Sequence, residues 1–581
     1  MSMLRHFVTT AGAISAAVIA APLAASRTDA FATPEMQPQT ITWTSCHTGN
    51  VALLASELGD RLRCGTLTAP LDHHRPETGN ITLSVVRIAV ADSTKRQGAL
   101  FVNPGGPGGD AGEFAGMLAA FWLDAPAADP VHGDKRRILD QFDIVAVIPR
   151  GMPGSTPLVC QVNLPRTDFI MTDRSEQNVA AWDLVGRRLS EGCRADPRYP
   201  FISTEQTVYD HELVRRSLGE PVFNFYGVSY GTWLGAWYGA TYPAKVGRMV
   251  LDSPMDFTAT FEENHLAAGP ALQEVFDRRV ARPAAADPAR YGLGASETAV
   301  RDVLRQLVPR VHEAWVRRFD APEDLMAAKT ASDWLRADPS LDKAGMSAGI
   351  DAWVYSEDSA LNRRARAAAR AALDRIFAPS GAEAGRLSAR SAMITTVPCN
   401  DTVATADAGQ WQDVIARQAR DYPARSSAGL MNPCVFSHGP NAVKPPVDRL
   451  ARAGRILILA SEFDTITPIA GAVRMINALP NAKMLVLRGG SDHMLFAMTE
   501  QACIERSTAR FLVDGRTPTS QLTECLVDVD PARPAPDAPT GGTAAWQARR
   551  AQLREIAGGD ALAALFSPLA VRSGDTADAS E

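Results

Sequence analysis

No C-x-x-C and no H-x-x-x-H spacing occurs in this chain, and no dinucleotide-type glycine fingerprint follows its first strand-like segment. A resident metal and a redox cofactor are therefore not indicated. Charge is modest too: a formal net charge of −6 over 581 residues gives no electrostatic case for nucleic acid or an anionic membrane as partner. Beyond the N-terminal segment no stretch is apolar enough to cross a bilayer, and no internal repeat is evident.

The N-terminus has the marks of an export signal. Arg5 and His6 precede an Ala-rich apolar stretch from Phe7 to Ala25, and Ala30-Phe31-Ala32 fits the small-x-small cleavage rule, with Leu23-Ala24-Ala25 as a second option. Thr9, Thr10, Gly12 and Ser15 dilute the run, which suits a cleaved signal better than a membrane anchor. An exported chain, secreted or periplasmic, puts its cysteines in an oxidising compartment. The eight cysteines form four sequential pairs: Cys46 with Cys64, Cys160 with Cys193, Cys399 with Cys434, and Cys503 with Cys525.

The rest of the chain is organised around residues 222–242. Val222 to Tyr226 reads as a buried strand, Gly227-Val228-Ser229-Tyr230-Gly231 fits G-x-S-x-G, and a helical segment follows to Tyr242, stopped by Pro243. Strand, sharp turn and helix are the context of a nucleophile elbow. It places Ser229 exposed at a helix N-terminus, with the Tyr230 N–H ready to meet a developing oxyanion. Gly231, Gly235 and Gly239 share one helix face, which lets that helix lie close on a sheet.

Strand-like and helical segments alternate on both sides of the elbow. Ile81–Ala91, Ala99–Val102, Phe142–Ile148, Gly247–Leu251, Ile456–Ala460 and Lys483–Leu487, the last of them, read as strands, and Asp210–Leu218 reads as a helix. This alternation predicts a mostly parallel sheet with helices on both faces, and with the elbow within it the expected fold is that of an α/β-hydrolase. Between 256 and 445 it is interrupted by a helical, Ala/Arg/Leu-rich region, predicted to be an inserted cap. The expected divisions are a signal peptide (1–32), a first core part (33–255), the cap (256–445), a second core part (446–530), and a linker and tail (531–581).

The elbow makes demands on the residues around it. In this fold the acid and then the histidine follow the serine. Asp464 comes directly after one predicted strand, and His493, the sole histidine beyond it, lies in the loop after the next. Nucleophile, acid and base thus all fall at strand C-terminal ends, where sites in open α/β sheets form. The predicted roles are Ser229 as nucleophile, His493 as base and then acid, and Asp464 as the group that orients the imidazole, with Asp252 as the rival acid. Upstream, Asn103-Pro104-Gly105-Gly106-Pro107-Gly108-Gly109 follows a strand where the second oxyanion donor belongs, with Gly106 favoured and Gly105 the second choice.

These motifs resemble those of the secreted tripeptidyl aminopeptidases of the prolyl-iminopeptidase class of α/β-hydrolases. The matching pieces are 64–72, 103–109, Pro149-Arg150-Gly151, 226–232, 246–252 and 464–468, together with the stretch from Cys503 to Cys525. Ile148 replaces the aspartate usual before Pro-Arg-Gly, and Asp492 and Met494 flank the histidine in place of small residues. The resemblance implies a serine exopeptidase that releases short peptides, often tripeptides, from free N-termini of a peptide substrate. It also implies a cap that recognises the substrate ammonium, for which Asp401 is the first candidate and Glu357 and Asp358 follow. Two alternatives remain: a carboxylester hydrolase with the same triad, and an inactive hydrolase-fold binding protein.

Overall fold

The computed structural model describes residues 33–527 apart from 47–49, 124, 126–127, 130 and 498–500; the expected signal peptide and C-terminal tail lie outside the described residues. Twelve strands are described: β1 (Thr42–Thr44), β2 (Leu62–Pro70), β3 (Asn80–Ile88), β4 (Gly98–Asn103), β5 (Phe142–Ile148), β6 (Gln161–Val162), β7 (Phe223–Val228), β8 (Val246–Asp252), β9 (Gly385–Arg386), β10 (Arg455–Ser461), β11 (Lys483–Arg488) and β12 (Leu522–Leu526). Ten of them form one sheet in the order β1-β2-β3-β5-β4-β7-β8-β10-β11-β12, while β6 and β9 pair separately. From β5 to β12 every neighbour is parallel; β1, β2 and β3 join antiparallel.

Burial explains which strands the sequence reveals. Every residue of β4, β5 and β7 is buried, as expected of strands covered on both faces, and each reads as a largely apolar run broken only by Asn103, Asp143 or Asn224. The edge strand β12 buries only Cys525, so its sequence carries no strand signal. Lys483–Arg488 is therefore not the last strand, as the sequence pattern suggests; β12 pairs alongside it, and Cys525 ties it to Cys503. The cysteines are joined in the four sequential pairs.

The helix Tyr230–Thr241 is buried throughout, and its glycines are the reason it can be. A Cβ at Gly235 would stand 2.6 Å from the Phe225 ring of β7, and one at Gly239 2.6 Å from Leu450. The helix thus rests its backbone directly on the sheet.

The insertion between β8 and β10 is mainly helical and has two parts. Helices from Ala268–Phe276 to Ser359–Ile376 enclose a core of their own around Phe276, Val300, Trp315, Leu325, Leu361 and Ile376. The later part, including the helices Ala389–Asp401 and Ala408–Asp421, instead places Met393, Val397, Trp411 and Leu430 in the main core. The insertion therefore joins the main core through its second half. No helix among the described residues is long and apolar enough to cross a membrane.

Candidate active site

β7 ends at Val228, and Ser229 follows with φ 57° and ψ −124°, a conformation that L-residues rarely adopt. Gly227 and Gly231 permit it: a Cβ on Gly227 would press on the Gly231 carbonyl, and one on Gly231 would press on the Asn103 carbonyl. The elbow is anchored by Ser229 N–H donating to the Asp252 carbonyl (3.0 Å) and by Thr232 N–H donating to the Ser229 carbonyl (2.9 Å). Ser229 is only 3% exposed, so the serine that the sequence places in the open is enclosed here.

Asp464 and His493 meet. Asp464 Oδ2 lies 2.8 Å from His493 Nδ1 and also accepts the Thr467 hydroxyl at 2.8 Å; Oδ1 accepts the Ile466 N–H at 2.7 Å and the Thr467 N–H at 3.1 Å. A carboxylate held by this many donors is fixed in orientation. Its bond to Nδ1 selects the tautomer with the proton on Nδ1, which leaves Nε2 as the basic nitrogen.

Asp252, the rival acid, has a different position. Its carboxylate accepts the backbone N–H groups of Leu495 (2.9 Å) and Phe496 (2.8 Å) and the Tyr226 hydroxyl (3.1 Å). The next residue, Ser253, accepts the Met494 N–H at 2.9 Å. Serine elbow and histidine loop are thus pinned to the same two residues at the end of β8. Burial pushes the Asp252 carboxyl up to about 6 against the pull of its hydrogen bonds. An acid whose folded pKa is raised destabilises the fold when ionised; this cost is absent below about pH 4 and complete above about pH 6. Asp252→Ala is expected to leave several buried donors without a partner, at about 1–3 kcal/mol each. Thermal unfolding should register that loss, and kcat should fall with it as the histidine loop loosens; an unchanged kcat would mean the loop holds its place unaided.

The glycine-rich loop after β4 reaches the elbow. A Cβ at Gly105 (φ 94°) would collide with the Val228 carbonyl and stand 2.9 Å from Tyr230 N. The Gly105 N–H donates to Asn103 Oδ1 at 2.9 Å, which commits it within the loop. Gly106, the other expected donor, follows it with φ 116°.

The three carboxylates expected to meet a substrate amine are not brought together. Glu357 is exposed in the loop before the helix Ser359–Ile376. Asp358 caps that helix and pairs with Arg290 at 3.0 Å. Asp401 does reach the elbow region, but it is 1% exposed and its oxygens accept Thr204 N–H (2.7 Å), Thr204 Oγ1–H (2.5 Å) and Trp233 Nε1–H (3.1 Å). A carboxylate enclosed and satisfied in this way is not presented to a ligand.

Basic groups, unmarked in the sequence, occupy the cap beside the acid. A cavity of about 160 Å³ between cap and core is lined by Phe276, Arg279, Arg317, Phe463, Thr465 and Ser491. Burial lowers the Arg317 guanidinium to about 10, while the charge of Asp464 works in the opposite direction. Arg279 bridges the cavity by bonding Asp320 at 2.6 Å and Ser491 at 3.1 Å. Nothing in the local sequence sets Arg317 apart from the other arginines of this region. Its φ of 66°, which only the structure reveals, sets it apart.

A serine on a strained strand-to-helix turn and a histidine–carboxylate pair at neighbouring strand ends of a mostly parallel sheet define a serine hydrolase of the α/β-hydrolase fold. Comparison with known proteins makes this more particular. The TAP-like protein family matches residues 422–525, the stretch that carries both Asp464 and His493. The tripeptidyl aminopeptidase of Streptomyces lividans is 28% identical over 484 residues, covering 80% of this chain and 83% of that protein. Carboxylesterase B of Mycobacterium tuberculosis is 26% identical over 510 residues (84% and 90%), and the serine protease Hip1 of the same organism is 23% identical over 511 (83% and 90%). The likeness to tripeptidyl aminopeptidases read from the motifs therefore extends along most of the chain.

Proposed function

We propose that this protein is an exported serine exopeptidase that releases short peptides, tripeptides foremost, from free peptide N-termini through an acyl-enzyme. The observation that carries the reading is the 2.8 Å His493–Asp464 pair after β11 and β10, on the same sheet whose β7 ends at the strained Ser229, in a chain resembling tripeptidyl aminopeptidases. His493 Nε2 takes the Ser229 proton as Oγ attacks the scissile carbonyl. The resulting oxyanion is held by the N–H groups of Tyr230 and Gly106, each worth about 2.7–4 kcal/mol of barrier. His493 then gives the proton to the leaving amine, and the same groups activate water to release the acyl piece. Asp464 keeps the proton on Nδ1 and stabilises the imidazolium. Four disulfides support export.

The second reading is a carboxylester hydrolase. It is favoured by the arginine-lined cavity beside Asp464, where Asp320, already paired with Arg279, is the only carboxylate among the described lining residues, and by the likeness to a carboxylesterase. A panel of one-, two- and three-residue amides, with free or acetylated N-termini, and a short acyl ester separates the two. Release from the free-amine tripeptide alone is the expected result; cleavage of the ester alone would move the function to esterase.

A further inference from the structure

The helix Ala389–Asp401 touches both halves of the proposed oxyanion hole. Near its start, Met393 and Arg390 pack on Gly108 of the glycine-rich loop: a Cβ there would stand 2.9 Å from Met393 Cβ and 3.1 Å from Arg390 Cα. At its end, Asp401 grips the first turn of the nucleophile helix at two points, directly through Trp233 Nε1 and indirectly through Thr204, whose Oγ1 lies 2.7 Å from the Tyr230 hydroxyl. Thr204 and Trp233 are 0% exposed and Tyr230 4%. The helix end is itself immobilised by the Cys399–Cys434 disulfide and by Asn400 Nδ2, which donates to the carbonyls of Tyr199 (2.7 Å) and Ile202 (2.9 Å).

We propose that Asp401 is a positioning residue that, through Thr204 and the Tyr230 side chain, holds the Tyr230 N–H aimed at the developing oxyanion. The inference rests on Ser229 being the nucleophile. The relay has a direction. With Asp401 ionised, the Thr204 hydroxyl donates to it, so Thr204 Oγ1 accepts from the Tyr230 O–H. With Asp401 protonated, its O–H donates to Thr204, the Thr204 hydroxyl turns toward Tyr230, and the Tyr230 O–H loses its acceptor. Burial pushes the Asp401 carboxyl up to about 7 against its hydrogen bonds to Thr204 and Trp233, so the change falls within the range of neutral catalysis. Glu205, on the helix that Thr204 begins, pushes the same way and is itself held by His74 at 3.5 Å. Lys444 lies 5.2 Å from the centroid of the Trp233 ring, Tyr230 is held well above its usual value, and Arg390 is the charged residue on Asp401's own helix.

The test compares wild type with Asp401→Asn, Thr204→Val, Thr204→Ser and Tyr230→Phe on a short acyl ester and on the rate of labelling by a serine-directed phosphonate, from about pH 5 to 9. Asp401→Asn, Thr204→Val and Tyr230→Phe should lower kcat and labelling by about 10- to 100-fold with KM little changed, because a misaimed donor weakens the transition state alone. Thr204→Ser should restore the wild-type rate. The wild-type profile should carry an inflection near about 7 that Asp401→Asn loses. Wild-type kcat and profile in Thr204→Val and Tyr230→Phe would overturn the proposal even if Asp401→Asn failed to fold, and so would a rise in KM with kcat intact. If Ser229→Ala were still labelled at the wild-type rate, the reading of the nucleophile would fail instead.

Discussion

Ser229→Ala is expected to lower kcat by about 10⁶-fold, roughly 8 kcal/mol of barrier, with the fold intact. The magnitude follows from the chemistry: without Oγ there is no acyl-enzyme, and water cannot take its place on the elbow. Asp464→Asn should lower kcat by about 10⁴-fold. Its amide can donate to His493 Nδ1, which stabilises the tautomer with the proton on Nε2, the wrong nitrogen to accept the serine proton. The surrounding donors make this effect specific, because Oδ1 would still accept from Ile466 and Thr467 and hold the side chain in place. Steady-state kinetics with circular dichroism and thermal unfolding on both variants provide the check. A substantial residual rate in Ser229→Ala would mean another nucleophile.

Gly105→Ala is expected to have the next largest effect. The backbone at φ 94° disfavours any Cβ, and this one would meet the Val228 carbonyl and the Tyr230 nitrogen on the elbow itself. Either the loop or the elbow must move, and both carry a proposed oxyanion donor. Loss of one donor corresponds to about 10²–10³ in kcat, and the strained backbone adds about 1–3 kcal/mol of instability. Gly59→Ala is the control: it too has a positive φ, 52°, but a Cβ there would meet nothing within 4 Å. Activity measurements on the pair separate backbone strain from collision at the elbow. Equal activity in the two variants would remove the loop from the site.

The elements legible in the sequence were those whose chemistry leaves a local trace. Phe223–Val228 is buried on both faces and reads as a strand; the glycine spacing after it reads as a helix that must lie close to a sheet, as Gly235 does on Phe225. Asp464 and His493 stand out because order and strand ends restrict the choice. The cysteines pair with near neighbours, so sequence proximity was informative. The rest depends on contacts between distant segments. Leu522–Leu526 is an exposed edge strand without a pattern. The burial of Ser229 depends on segments distant in sequence, among them the loop carrying Gly105, which no local signal records. Asp252 looks like a second catalytic acid until its acceptors are found occupied by Leu495 and Phe496, more than 240 residues away. Asp401 looks like an ammonium ligand until Thr204 and Trp233 are found around it.

The central claim is that Ser229 is a nucleophile activated by His493 and Asp464. The most direct measurement is treatment of the native protein with a serine-directed phosphonate, followed by peptide mapping in a mass spectrometer. The expected result is one adduct per chain, on Ser229, formed far more slowly in Asp464→Asn. An adduct on another serine, or none on a folded protein, would contradict it.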